Sequence, residues 1–152
     1  MPVPSNAAVV FGNTLANPLI RQGAGIRGEL HGALRVLLVE DEHLIRLMAG
    51  QFLRDEGFDV EEASSGDEAA LRLMGPELFG VLFTDVQMPG KMDGIHVATH
   101  ARGFHPTIIL VVVSGFAPLI HDRLQDFDPA AVFFPKPYQL PKIVETIRRL
   151  AA

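Results

Sequence analysis

The chain of 152 residues contains no cysteine. That excludes disulfides, thiolate metal sites and a cysteine nucleophile, and it fits a reducing compartment. Basic charge is also short. Thirteen Lys and Arg stand against 18 Asp and Glu, for a net charge of −5, which argues against nucleic acid as a direct ligand of the bulk surface. Long apolar runs are missing too: "IILVVV" at 108–113 is the longest, far too short to span a bilayer. The opening "MPVPSN" has no basic side chain, and the apolar stretch after it is broken by Gly12, Asn13, Asn17 and Pro18. It is therefore not a secretory signal. These absences lead to the expectation of a soluble cytoplasmic protein that contacts neither membrane nor nucleic acid.

What is present supports one domain. The hydrophobic fraction of 48% is enough for a real core. Residues 1–34 are rich in Pro and Gly without sustained periodicity and are expected to be a flexible N-terminal extension. From Arg35 onward the pattern is regular. Apolar runs at 35–40, 58–63, 81–84, 107–113 and 131–135 read as strands.

Between them lie helical patterns. One starts at His43 and stops at Gly57. A second opens at Ser64, with Ser65 and Glu68 at capping-box spacing, and ends at Gly75-Pro76. A third covers 94–102 and is closed by Gly103. The stretch 116–128 is ambiguous, with Pro118 suited to a first helical position. The last covers 140–150, where Leu140, Ile143, Val144, Ile147 and Leu150 share a stripe. Short apolar strands alternating with helices imply parallel pairing with helices on both faces. Right-handed crossovers then give an open, doubly wound α/β sheet, whose sites form at the carboxyl ends of the strands.

At those ends stand Glu40-Asp41-Glu42, then Asp85, then Ser114-Gly115, then Lys136-Pro137. Acids at 40–42 would equally serve to cap the following helix. With Asp85 and Lys136 beside them, a charged pocket is the better account. Glu40, Asp41 and Asp85 would repel one another if crowded, and an oxygen-only set with few side chains favours Mg²⁺. A carboxylate beside Mg²⁺, a lysine and a small hydroxyl suits an aspartyl-phosphate, because phosphoryl transfer needs mainly positioning and charge neutralisation. Asp85, alone at the end of its strand, is the nucleophile. Pro89-Gly90 then turns the chain away from it.

The segments "VLLVEDE", "VLFTDVQMPGKMDG", "VVVSG" and "FFPKPY" resemble the receiver domain of two-component response regulators, over about residues 35–150. The "PKPY" ending resembles receivers that stand alone or sit on hybrid kinases. The resemblance implies a flavodoxin-like, five-stranded parallel sheet of order 2-1-3-4-5 in a receiver domain at 35–152. It implies phosphoryl transfer to Asp85 from a histidine kinase or histidine phosphotransfer protein. Mg²⁺ would sit on Glu40, Asp41, Asp85 and the backbone carbonyl of Gln87. Lys136 would pair with the phosphate, with Ser114 as switch hydroxyl and Phe133 as the aromatic of the rotamer switch.

Three departures stand out from the family pattern. Glu40 replaces the commoner aspartate, "MPGKMDG" has one extra residue, and Phe133 lacks the usual tyrosine hydroxyl. Pro135 removes a backbone donor, which only an edge strand tolerates. The chain as given ends at 152, so output is expected through an unidentified protein target, with a homodimer through the fifth strand and last helix as a secondary role. The alternative is a small Mg²⁺-dependent aspartyl-phosphate phosphatase of the haloacid dehalogenase type. That class expects a second acid where Gln87 stands. His96 and His100, four apart, read as surface residues rather than metal ligands, and Arg148-Arg149 as a solvated helix end.

Overall fold

The computed structural model describes residues 32–152; the expected extension at 1–34 falls almost wholly outside them. Five strands, β1 (Arg35–Val39), β2 (Asp59–Ala63), β3 (Val81–Asp85), β4 (Ile109–Ser114) and β5 (Val132–Pro135), alternate with five helices. The helices are α1 (His43–Asp55), α2 (Gly66–Leu73), α3 (Gly94–Phe104), α4 (Ala117–Leu124) and α5 (Leu140–Ala151). The sheet is parallel throughout, in the order β2-β1-β3-β4-β5, which is the expected topology. The three inner strands are nearly continuous buried runs, as a sheet covered on both faces requires.

Alternation along the strands divides the core. Leu37, Val39, Leu82 and Leu110 pack with Ala69 and Leu73 of α2 and Val97 and Ala98 of α3. Val86 and Val112 pack with Ile95 of α3 and Ile120 and Leu124 of α4, and Phe133 leans on that cluster. α1 lies beside α5, and the α5 stripe buries Ile143, Val144 and Ile147 completely or nearly so. Leu150, at the end of the same stripe, is exposed.

Several helix ends follow from local chemistry. α1 stops in a Schellman arrangement: Gly57 N–H bonds Arg54 O and Phe58 N–H bonds Leu53 O, with Gly57 at φ +99°. Ser65 caps α2 by accepting from Glu68 N, but Glu68 returns its carboxylate to Ser64 N and Oγ, at 2.8 and 3.0 Å. Only half of the expected box forms on Ser65. α3 runs through Gly103 to Phe104 rather than closing at the glycine, because the ladder continues to a bond from His105 N to Ala101 O. The ambiguous stretch 116–128 contains α4, in which Pro118 is the second helical residue, not the first. Arg148 is not merely solvated: it donates to Glu56 O at 2.6 Å, pairs with the Glu56 carboxylate and lies over the Phe58 ring.

α3 has a capping box that the sequence reading missed. Asp93 accepts from Ile95 N and His96 N, both at 2.9 Å, and His96 Nδ1 accepts from Asp93 N. The Asp93 carboxylate also pairs with Arg123 of α4 at 2.8 Å. Burial alone would raise the Asp93 pKa, but the Arg123 and His96 hydrogen bonds outweigh it and the net shift is downward. A depressed carboxyl contributes stability that is present above its unfolded pKa and is lost as pH falls through the folded one. Asp93→Ala is accordingly expected to cost about 1 kcal/mol at neutral pH. The deficit should shrink in acid, and paired urea melts at neutral and acid pH check both the size and the trend.

Candidate functional site

The register explains how distant segments converge. Val39 lies level with Thr84, Asp85 with Val113, and Ser114 with Pro135. The next residues, Glu40 and Lys136, therefore emerge at the same carboxyl edge as Asp85 and Ser114. Two backbone bonds extend the ladder to hold them, Glu40 N to Ala63 O and Lys136 N to Ser114 O at 2.9 Å. Asp85 is the last residue of β3 and only 6% exposed; Glu40 is 3% exposed.

Carboxylate oxygens of Glu40, Asp41 and Asp85 lie within 4.8 Å of one another, and the Lys136 ammonium sits 2.7 Å from Asp85 Oδ2. Burial pushes the Glu40 carboxyl up, opposed by the hydrogen bond from Glu42 N and reinforced by the charge of Asp85. Burial works against the Lys136 ammonium, yet the hydrogen bond and charge of Asp85 prevail and raise its pKa. Three carboxyls against one ammonium leave an excess of oxygen donors in a small volume. That set suits a small, hard divalent cation such as Mg²⁺. Helix capping does not account for the acids: Glu42 is the N-cap of α1 and makes no side-chain capping bond.

Ser114 is fully buried, and its Oγ accepts from Phe116 N at 3.1 Å. A hydroxyl so engaged still has its own O–H to donate. Phe133 is half-buried against the α4 cluster. Gln87 is exposed, on the loop that follows Asp85. The loop makes an exposed bend over 89–91, where Gly90 has φ +104°. Glu40, Asp41, Asp85 and Lys136 thus come together, Ser114 lies at the same edge, and Phe133 stands apart on β5. His96 is occupied with its cap, and among the described residues no third ligand joins it and His100.

Tyr138 was not anticipated. It stands two residues after Lys136 and packs edge-to-face on Phe83, two residues before Asp85, with ring centroids 5.8 Å apart. Burial, then the charges of Glu40 and Asp85, push its phenol up to about 12, so it stays neutral beside the acids. Gly94 was also missed. A Cβ there would fall on the Asp85 carbonyl oxygen, so α3 can start this close to the site only from a glycine. Among the described residues no helix is long and apolar enough to cross a membrane.

Residues 36–148 match the response regulator receiver domain. The chain is 38% identical over 125 residues to the sensor kinase CckA of Brucella abortus, covering 80% of this chain and 13% of that protein. It is 32% identical over 116 residues to the response regulator receiver protein CpdR of the same organism, covering 76% of this chain and 95% of that one. A response regulator receiver protein from Sinorhizobium medicae superposes with a TM-score of 0.72 at 29% identity, over 78% of this chain and 94% of its own.

Proposed function

The chain belongs to the response regulator receiver domain family, and from that premise we propose that it accepts a phosphoryl group from a histidine kinase or histidine phosphotransfer protein on Asp85 and signals through protein contacts. The observation that carries this reading is the Lys136 ammonium 2.7 Å from Asp85 Oδ2, with the Glu40 and Asp41 carboxylates beside it. We assign the receiver unit to residues 35–152, in the cytoplasm, with 1–34 as an extension preceding it. The match spans 95% of CpdR, so the receiver unit proposed here corresponds to nearly all of that protein.

In the proposed step an oxygen of Asp85 bonds to phosphorus as the phosphorus–nitrogen bond of a phosphohistidine breaks. The imidazole leaves with the bonding pair. Lys136 transfers its hydrogen bond from the carboxylate to a phosphoryl oxygen, and the Ser114 O–H donates to another. Mg²⁺, held by Glu40, Asp41, Asp85 and the Gln87 carbonyl, would supply further neutralisation of those oxygens. The product carries roughly −1.5 to −2 of added charge. The Ser114 Oγ also accepts from Phe116 N, the residue before α4, and Phe133 packs on the cluster that includes Ile120 and Leu124 of that helix, so a shift of the Ser114 side chain would be felt at the α4–β5 face. Leu44 and Met48, each 71% exposed on the first turns of α1, offer a partner an apolar footing near the pocket.

Incubation with acetyl phosphate and Mg²⁺ tests the reading. One acid-labile phosphoryl group per chain is expected in the wild type and none in Asp85→Asn. Steady release of phosphate from simple phosphate esters would instead favour the haloacid dehalogenase alternative. Labelling that is equal in both proteins would remove Asp85 from its assigned role.

A further inference from the structure

We propose that Arg46 and Glu62 form a brace that positions the Glu40-Asp41 turn for its cation, a role that rests on the reading of the acidic pocket given above. Arg46, on α1, donates from Nη1 to the carbonyl oxygen of Glu40 at 2.8 Å. Its Nε faces Glu62 Oε1 of β2 at 3.4 Å, and both side chains are largely buried, 15% and 21% exposed. The same Glu62 carboxylate takes Arg54 Nη1 at 2.9 Å, and Arg54 in turn donates to Val60 O. One carboxylate thus fixes two arginines, and one of those arginines holds the main chain of the residue that begins the acidic turn.

A mid-helix glycine makes room for this arrangement. Gly50 lies in the interior of α1, where glycine costs about 1 kcal/mol relative to alanine. A Cβ at Gly50 would come 2.6 Å from Glu62 Oε2 and 3.1 Å from Arg54 Nη1. Gly50 has no positive φ to explain it; what it provides is space for Glu62 to lie against the helix. Groups that hold a ligand's backbone set where its carboxylate points, and in metal sites the loss of such an outer partner typically costs about 10–100-fold in metal affinity or activity. Arg46 touches neither Asp85 nor Lys136 in the hydrogen bonds and ion pairs it makes. It is a positioning residue.

The brace therefore acts on cation affinity and leaves the phosphoryl-transfer step alone. The test measures Tm against Mg²⁺ concentration, and separately the acetyl phosphate labelling rate against Mg²⁺, in the wild type and in Arg46→Met, Glu62→Gln and Gly50→Ala. In Arg46→Met the half-effect Mg²⁺ concentration is expected to rise about tenfold in both assays, with the labelling rate at saturating Mg²⁺ unchanged. Gly50→Ala displaces Glu62 without removing a charge and should shift the midpoint the same way, by less. Arg148→Met, which loosens the distant α1–α5 contact, should lower Tm and leave the Mg²⁺ midpoint in place.

Should Arg46→Met fail to fold, Glu62→Gln and Gly50→Ala carry the test. Wild-type midpoints in the variants overturn the brace alone. A wild type that shows neither Mg²⁺ protection nor labelling overturns the acidic-pocket reading and the brace together.

Discussion

Lys136→Met is expected to slow acetyl phosphate labelling of Asp85 by roughly 10²- to 10³-fold, the usual effect of removing one donor aimed at developing negative charge. Methionine keeps most of the length and apolar stem and deletes the ammonium that now lies 2.7 Å from Asp85 Oδ2. The affinity for Mg²⁺ should move the other way. With the fixed cation gone, Glu40, Asp41 and Asp85 still crowd their oxygens within 4.8 Å of one another. A divalent ion then meets the same negative charge with less opposing positive charge, so its binding tightens.

Lys136→Arg is not a rescue. The planar guanidinium cannot take the place of a compact ammonium at a single oxygen. The signature of Lys136 is therefore a lower saturating rate at equal or tighter Mg²⁺ binding, the converse of the Arg46 signature. Labelling of Lys136→Met at the wild-type rate would mean that the ion pair is structural and takes no part in the transfer.

This separation of roles bears on what the sequence reveals. Asp85, Ser114 and Lys136 could be placed because each ends or follows an apolar run whose period defines a strand, and a parallel α/β sheet sends all strand ends to one edge. Reading the end residues of the strands amounts to reading the site. Arg46 could not be placed that way. Helical periodicity says only which way a residue faces, whereas its bond to the Glu40 carbonyl depends on how far a long side chain reaches in three dimensions. Nor does the sequence tie Glu62 of β2 to Gly50 of α1, twelve positions apart, since their contact exists only once the helix lies against the strand.

The errors at helix ends share a cause. Ser64 and Ser65 are equivalent in sequence spacing to within one residue, and local backbone geometry decided which of them received the Glu68 carboxylate. Gly103 was read as a stop because glycine often ends helices, but it adopts no left-handed conformation there, so the ladder ran past it. Tyr138 carries no local signal of its contact. Its neighbour Phe83 is 55 positions away, and only the pairing of β3 with β4 and of β4 with β5 brings that ring close.

Gly94→Ala is expected to be the most damaging single-methyl change near the site. The position has no positive φ, so backbone conformation does not demand glycine. Space does: an added Cβ would overlap the Asp85 carbonyl oxygen and come 2.9 Å from Val86 Cα. Both obstacles are main chain, and no side-chain rotation relieves them. The start of α3 must retreat, which strains the bond from Gly94 N to Val86 O and pulls on the peptide that carries Asp85. Overpacking of this kind costs about 3 kcal/mol at the upper end of its usual range, a fall in Tm of roughly 10 °C for a domain of this size.

Gly103→Ala, in the same helix, is the matched control. A Cβ there meets nothing within 4 Å, so alanine should stabilise by about 0.5–1 kcal/mol through helix propensity and a less flexible unfolded chain. Two glycine-to-alanine changes nine residues apart on one helix should therefore move Tm in opposite directions. Gly94→Ala should also lose most of its labelling well below its own melting temperature, because the methyl displaces the main chain of Asp85 itself. A Gly94→Ala protein that melts and labels like the wild type would show that α3 does not hold the phosphoacceptor strand end where the close approach requires it.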